Sequence, residues 1–406
     1  MGQASQDEHE FPWEIGVFDA HCHPTDTMAS IADIPRMSAT TLTVMSTRAD
    51  DQDLVFQSAE KLAKEPGDGG VERILPCFGW HPWFSHQIID DTSVKPECKE
   101  TQDSFELKKI HYSKVLKPPP GDDFIASLPN PKPLSELLSE TRSRLQKSPN
   151  ALVGEIGLDR TFRLPQPWTQ EEIDARNGAM TPGSREGRKL SPHQVRPEHQ
   201  KAILEAQLRL AGELGRPVSV HSVQGHGGVI EVFQKIWKGH ERKQASRRER
   251  KRRGSHAEAH TGSDAEDQSP HTAGAGARGQ TSNGANAAQG PLPYPPRICM
   301  HSYSGPAETL KQLLHASNPS TVYFSFSSVI NFSHHSDRSV EVIKALPDDR
   351  LLVESDLHIA GKEMDDKLEE VTREICKIRG WELRPGMKQL ADNWKRFVFG
   401  EVGDSS

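Results

Sequence analysis

The sequence has no long apolar run and few cysteines. No stretch reaches the eighteen or more apolar residues of a membrane-spanning helix, so a membrane protein is not expected. The five cysteines are scattered and form no C-x-x-C pair, which favours a reducing intracellular compartment over a disulfide scaffold. The first residues, MGQASQDEHEFPWE, are polar and acidic and lack the features of a secretory signal.

Positive charge is scarce outside one segment. The net charge is −7, yet residues 238–253 carry nine basic and two acidic residues, so the rest of the chain carries −14. An acidic body does not bind nucleic acid by bulk electrostatics, and handling phosphate would need a local positive feature such as bound metal. The basic run is either a nuclear-import or nucleic-acid-binding tail or a solvated charge block. We therefore expect a cytoplasmic or nuclear protein, or one found in both.

Composition divides the chain into one domain and several polar stretches. Residues 1–14 form an N-terminal tail, and residues 15–406 form a single domain that is interrupted three times. Two charged, Pro- and Gly-rich stretches, at about 89–133 and 161–197, are typical of loop insertions. A third, at about 240–296, is basic and then low in complexity, with almost nothing apolar to bury, and is expected to be disordered.

Eight short runs rich in β-branched and aliphatic residues recur outside these insertions. They cover residues 15–21, 41–46, 73–79, 151–157, 217–222, 297–303, 321–327 and 350–356. Amphipathic helices are predicted between several of them and at the end of the chain, over 200–215, 306–317 and 390–399. This alternation predicts an α/β fold, a (β/α)₈ TIM barrel with long loop insertions, although an open doubly wound sheet would share the pattern. The usual nucleotide-binding folds are excluded, because no G-x-G-x-x-G follows the first strand and no G-x-x-x-x-G-K-[ST] occurs.

Histidines and carboxylates occur at the carboxyl ends of the predicted strands. These residues are His21, His23, His81, Glu155, His221, His301 and Asp356. A lone His-x-His is weak evidence for metal, but barrels place their active sites on this face, and burying so many ionisable groups together is costly without a compensating cation. Four of the imidazoles and the two carboxylates suffice for two divalent ions with one carboxylate bridging. Nitrogen and oxygen ligands suit Mg, Mn, Zn or Fe and do not choose among them.

The same motifs resemble those of a known family. DAHCHP, GWHP, VGEIGLD, MHSYSG and LLVESD, in this order and spacing, are similar to the motifs of the TatD family of metal-dependent deoxyribonucleases. This family is a branch of the amidohydrolase-like barrel superfamily. The resemblance covers most of the chain outside the insertions, and the fungal members with long polar insertions look most similar.

The resemblance implies a role for each of these residues. His21, His23 and Asp356 would bind one metal, and His221 and His301 would bind the other, with Glu155 bridging the two. His81 would lie near the scissile phosphate, and Asp356 would accept a proton. Catalytic roles would therefore fall to Asp356, Glu155 and His81. The implied reaction is hydrolysis of a phosphodiester by a metal-activated water.

Two departures from the family pattern concern the substrate rather than the metal. Val223 and Gln224 follow His221 where the family often has Arg, and Leu357–His358 follow Asp356 where a Pro is common. These departures predict the loss of a phosphate-contacting side chain, which speaks against DNA as the substrate unless His226 or His358 compensates.

Three functions remain open at this stage. The first is a hydrolase with DNA as substrate. The second is an amidohydrolase acting on a C–N bond, which is less favoured because Glu155 stands where many such barrels bridge their metals with a modified Lys. The third is a catalytically impaired metal-binding scaffold whose insertions recruit protein partners. None of the three involves a membrane.

Overall fold

The computed structural model describes residues 10–63, 72–92, 103–183, 185–243, 291–333 and 337–400. The first nine residues, most of the basic run and most of the predicted low-complexity insertion lie outside the described residues.

Eight parallel strands form one sheet in which each strand pairs with its neighbours along the chain. The strands are β1 (Phe18–Cys22), β2 (Thr41–Met45), β3 (Ile74–Phe78), β4 (Leu152–Asp159), β5 (Val218–Val223), β6 (Arg297–Met300), β7 (Thr321–Phe326) and β8 (Leu351–Val353). Nearly all of their residues are buried, as expected for parallel strands with helices packed outside them. All eight predicted strands are present.

The residues that follow β8 contact β1. The backbone N–H of Asp356 donates to the carbonyl oxygen of His21 at 3.0 Å. The backbone N–H of Ser355 donates to the Asp19 carboxylate, also at 3.0 Å. These bonds join the two edges of the sheet, and the predicted (β/α)₈ barrel is confirmed.

The helices lie between the strands and after the last one. They are α1 (Ala49–Ala63), α2 (Ser104–Val115), α3 (Asp122–Ser127), α4 (Leu134–Lys147), α5 (Gln170–Asp174), α6 (Pro197–Glu213), α7 (His226–Trp237), α8 (Ala307–Leu313), α9 (Asp337–Ala345), α10 (Lys362–Arg379) and α11 (Leu383–Phe399). Helix α11 begins earlier than predicted, because Pro385 lies in its first turn, where proline is tolerated. None of these helices is long and apolar enough to cross a membrane.

The first two predicted insertions pack against each other. Residues 103–128 and 160–195, which we call the insertion module, contain α2, α3 and α5. An antiparallel pair joins Leu116–Lys117 to Gln194–Val195. A small apolar core lies beneath this pair and consists of Tyr112, Val115, Leu116, Ile125, Leu164 and Val195. The module forms because these mostly polar stretches contain the apolar side chains of this core. Their composition alone indicates only loops.

The two ends of the third insertion lie close together. The His240 and Tyr294 rings are 5.3 Å apart between centroids. Just beyond His240, the backbone N–H of Arg242 donates to the carbonyl oxygen of Ser317 at 2.8 Å. Since α7 precedes this point and β6 follows it, the chain leaves and returns at the amino-terminal ends of the strands.

Candidate metal centre

The carboxyl ends of the strands bring all seven predicted site residues together. His21 lies in β1, Glu155 in β4 and His221 in β5, whereas the others follow β1, β3, β6 and β8. Six of these residues are buried, and Asp356 is the most exposed of the seven, with 15 % of its side chain accessible. Donor atoms of these residues fall into groups whose members lie within 4.8 Å of one another.

Glu155 joins two sets of donor atoms. Its Oε2 lies 3.4 Å from His21 Nε2 and 3.3 Å from His23 Nε2. Its Oε1 lies 2.8 Å from His221 Nδ1 and 2.9 Å from His301 Nε2. Each carboxylate oxygen therefore serves a different pair of imidazoles, which is the geometry of a bridging ligand.

The Asp356 carboxylate lies beside the first pair of imidazoles. Its Oδ1 is 3.6 Å from His23 Nε2 and 3.9 Å from His21 Nε2. The backbone of Asp356 has φ = +55°, a left-handed conformation that is uncommon outside glycine. Such strain is typical of functional sites, where the surrounding structure holds a side chain in one place.

A glycine permits the close approach that places Glu155 beside His221. Gly157 has φ = +152°, and a Cβ atom at this position would overlap the carbonyl oxygen of His221. Only glycine therefore fits, and β4 can lie against β5 at the level of the donor atoms.

His81 differs from the other imidazoles in the state of its ring. Its Nδ1 accepts a hydrogen bond from the backbone N–H of Trp83 at 3.1 Å. The neutral ring must then carry its proton on Nε2, which lies 3.1 Å from Glu155 Oε1. Burial lowers the pKa of His81 to about 4, so the ring stays neutral. His81 is therefore a hydrogen-bond donor within the site, rather than a lone-pair ligand.

Three further side chains orient the imidazoles. Ser219 Oγ lies 2.8 Å from His21 Nδ1, and Asp159 Oδ2 lies 3.3 Å from His221 Nε2. Glu354 Oε1 lies 3.6 Å from His301 Nδ1, which is too long for a hydrogen bond but within the range of an ion pair. Such partners fix the tautomer so that the other ring nitrogen can face a metal.

Sequence reasoning assigned no role to these three residues, although a signal was present. Each lies two or four residues from a predicted ligand in the same strand or just beyond it, and alternate strand residues share a face.

In the absence of a cation, protons on the imidazoles balance the charge of the buried carboxylates. Burial raises the pKa of Glu155, but hydrogen bonding and charge from the surrounding imidazoles hold it well below its usual range. Burial lowers the pKa of His23, but hydrogen bonding and charge from Glu155, with Asp356 and Asp26, raise it to about 9. The centre therefore holds protons at positions where a divalent cation would displace them.

Three observations fit a bound divalent metal. The His21 and His23 Nε2 atoms lie only 3.1 Å apart, as do His221 Nδ1 and His301 Nε2. Two neutral ring nitrogens at that distance share at most one proton, whereas a cation between them satisfies both. Glu354 Oε2 is also buried without a hydrogen-bond partner, and Glu354 forms one of the donor groups with His301 and Asp356. Imidazole and carboxylate ligands with no thiolate suit Zn, Mn, Fe or Mg.

The two histidines proposed to replace a lost phosphate contact differ in their exposure and in their partners. His358 Nδ1 lies 2.8 Å from Asp26 Oδ2, and its ring stacks on His23 with centroids 5.1 Å apart. Its side chain is 61 % exposed. His226 Nδ1 lies 2.7 Å from Ser222 Oγ. His358 is thus the one of the two that contacts a predicted ligand.

Comparisons with known proteins agree with this fold. Residues 18–399 match the family model described as TatD related DNase. The chain is 37 % identical over 385 residues to the Cut9-interacting protein scn1 of Schizosaccharomyces pombe. The alignment covers 94 % of this chain and 98 % of that protein. It is 24 % identical over 395 residues to a Saccharomyces cerevisiae protein named as an uncharacterized deoxyribonuclease, with 94 % and 98 % covered.

Similarity to a solved structure supports the fold and nothing beyond the fold. It is the crystal structure of an uncharacterized amidohydrolase from Saccharomyces cerevisiae, with 13 % identity and a TM-score of 0.50 over 94 % of this chain and 99 % of that one. The family match spans all eight strands and every predicted metal ligand. The chain belongs to the TatD-related DNase family.

Proposed function

We propose that this protein is a two-metal phosphodiesterase that cleaves DNA. The observation that carries the proposal is Glu155, whose two oxygens each face a separate pair of imidazoles. His21, His23 and Asp356 would hold one ion and His221 and His301 the other, with Glu155 shared between them. Paired divalent ions supply Lewis acidity and lower the pKa of water, which phosphodiester hydrolysis requires.

Two side chains of the site would move or hold protons during the reaction. Asp356 is the most exposed of the carboxylates and lies open to an attacking water, from which it would take the proton. His81 presents its Nε2–H to the cluster and would donate a hydrogen bond from it to a non-bridging phosphate oxygen. Negative charge that develops on the phosphate is thereby stabilised by a neutral donor that is already in place.

The nuclease is preferred over an amidohydrolase on two grounds. The bridging position holds Glu155, whereas a modified lysine would be expected in many C–N hydrolases. In addition, a relative that spans nearly the same length is named as a deoxyribonuclease.

A cleavage assay tests the proposal. The purified full-length protein is incubated with single- and double-stranded DNA in Mg²⁺, Mn²⁺ or Zn²⁺, beside His21→Ala. A matched control is His111→Ala, which removes a buried histidine that bonds to the carbonyl oxygen of His86, outside the cluster. We expect metal-dependent cleavage by the wild type and His111→Ala and none by His21→Ala. Absence of cleavage in a protein that has bound both metals would rule out DNA as the substrate.

A second candidate function is a scaffold that binds protein partners, alone or beside catalysis. It is favoured by the name of the S. pombe relative, Cut9-interacting protein scn1. The insertion module would supply the contact surface. If the scaffold role holds, Glu155→Ala binds Cut9 protein, used as the probe, as well as the wild type does although its metal is gone. Parallel loss of metal and Cut9 binding in a folded variant would contradict it.

We infer that the protein acts in the cytoplasm, the nucleus or both, on the strength of its scattered cysteines and its basic run.

A further inference from the structure

Two aromatic rings stack beside the metal centre and remain accessible. Trp83 follows β3 and Phe162 follows β4, and their rings are nearly parallel, at 10°, with centroids 4.7 Å apart. Trp83 is 37 % exposed, and Phe162 is partly buried. An exposed tryptophan at the opening of a site differs from a core residue, because its ring area is available to a ligand.

The aromatic pair is fixed to the cluster by hydrogen bonds. The indole N–H of Trp83 donates to Asp159 Oδ2 at 2.6 Å, and the same oxygen lies 3.3 Å from His221 Nε2. The Trp83 ring centroid lies 4.8 Å from that of His81 and 6.2 Å from that of His221. A group stacked on the pair would therefore lie next to a phosphate held at the metal centre.

Positive charge flanks the same turn. Arg160 and Arg163, on either side of Phe162, are exposed. Gln194 donates its side-chain amide to the carbonyl oxygen of Arg160 at 3.2 Å, and its strand partner Lys117 is exposed as well. Aromatic rings interleaved with cations are the pattern by which proteins bind single-stranded nucleic acid.

We propose that Trp83 and Phe162 form a stacking site for a nucleobase of an unpaired strand, adjacent to the phosphodiester that is cut. This inference rests on the proposed function and narrows its substrate to single-stranded DNA, including frayed ends. In a duplex each base is already stacked on its neighbours, so its faces are not available to the aromatic pair. Arg160 and Arg163 would attract the backbone phosphates on either side of that nucleotide.

The test compares two single strands of equal length, oligothymidylate and a strand of abasic deoxyribose phosphates. With oligothymidylate we expect Trp83→Ala to raise KM about 5- to 150-fold, the range for loss of one base–aromatic stack. With the abasic strand we expect the variant to match the wild type. Trp83→Phe keeps a ring but loses the bond to Asp159, and we expect it to stay near the wild type. Phe105→Ala, which removes an exposed aromatic side chain from α2, is the matched control.

The outcomes separate stacking from a purely structural role. An equal loss on both strands, or a Trp83→Phe variant as impaired as Trp83→Ala, would overturn the stacking site and indicate that Trp83 only positions Asp159. If the wild type cleaves neither strand, the proposed nuclease function fails, but the stacking site is still tested by fluorescence anisotropy in EDTA. There, Trp83→Ala must weaken binding of oligothymidylate and not of the abasic strand, and unchanged binding would overturn the inference.

Discussion

Replacing Glu155 with alanine is expected to remove both metal ions and to lower kcat/KM for DNA by about 10³-fold or more. Each of its oxygens faces a different pair of imidazoles, at 2.8–3.4 Å, so both sites lose a ligand at once. Metal ions contribute several kcal/mol to the stabilisation of charge in such transition states, and 1.36 kcal/mol corresponds to a factor of ten in rate. No other single substitution in the cluster removes a ligand from both sets.

Metal content and activity are measured on the same preparations. Mass spectrometry of the dialysed proteins gives the metal-to-protein ratio, and oligonucleotide cleavage gives kcat/KM. The control is Asp365→Ala, which removes a buried carboxylate that accepts bonds from the Ser38 and Ala39 backbones, away from the donor atoms. It should lose stability and keep its metal. Two ions per chain in a folded Glu155→Ala protein would show that Glu155 is not the bridge.

Asp356→Asn is expected to lower kcat by about 10²- to 10⁴-fold while metal still binds at saturating concentration. The amide keeps one oxygen toward His23 and His21, so a ligand atom remains. It cannot take a proton from water, and that loss falls on kcat rather than on substrate binding.

The comparison needs saturating metal and a separate KM. Asp349→Asn is the matched control, since this half-exposed carboxylate lies at the opposite end of β8 and pairs with Arg350. We expect its kcat to equal that of the wild type. If Asp356→Asn with two ions bound keeps its kcat, another group accepts the proton.

The barrel could be predicted because the sequence pattern of each strand is contained in one short run of residues. Each strand is a short run of β-branched and aliphatic residues, and each predicted ligand follows or ends such a run. Parallel strands place their carboxyl ends on one face, so the position of His21, Glu155 and His301 in their strands already implies that they meet. The exact pairing of donors, with Glu155 between two sets, depends on the approach of β4 to β5 and required the structure.

The insertion module could not be predicted for the opposite reason. Leu116–Lys117 and Gln194–Val195 are short segments far apart in the chain, and neither has a strand pattern of its own. The core they cover draws single apolar residues from stretches dominated by Pro, Gly and charge. The composition of each segment by itself indicates a loop, because the contacts that fold the module join segments that are far apart in the chain. The aromatic pair beside the metal centre was missed in the same way, since Trp83 and Phe162 come from segments that follow different strands.

The contact between His240 and Tyr294 holds the two ends of the third insertion close together. The polypeptide departs and rejoins at almost one point, on the side of the barrel remote from Glu155. The third insertion can therefore change in length or sequence during evolution without altering the distances between the donor atoms. The attachment points of the third insertion and the candidate metal centre therefore lie at opposite ends of the strands, so either can change without disturbing the other.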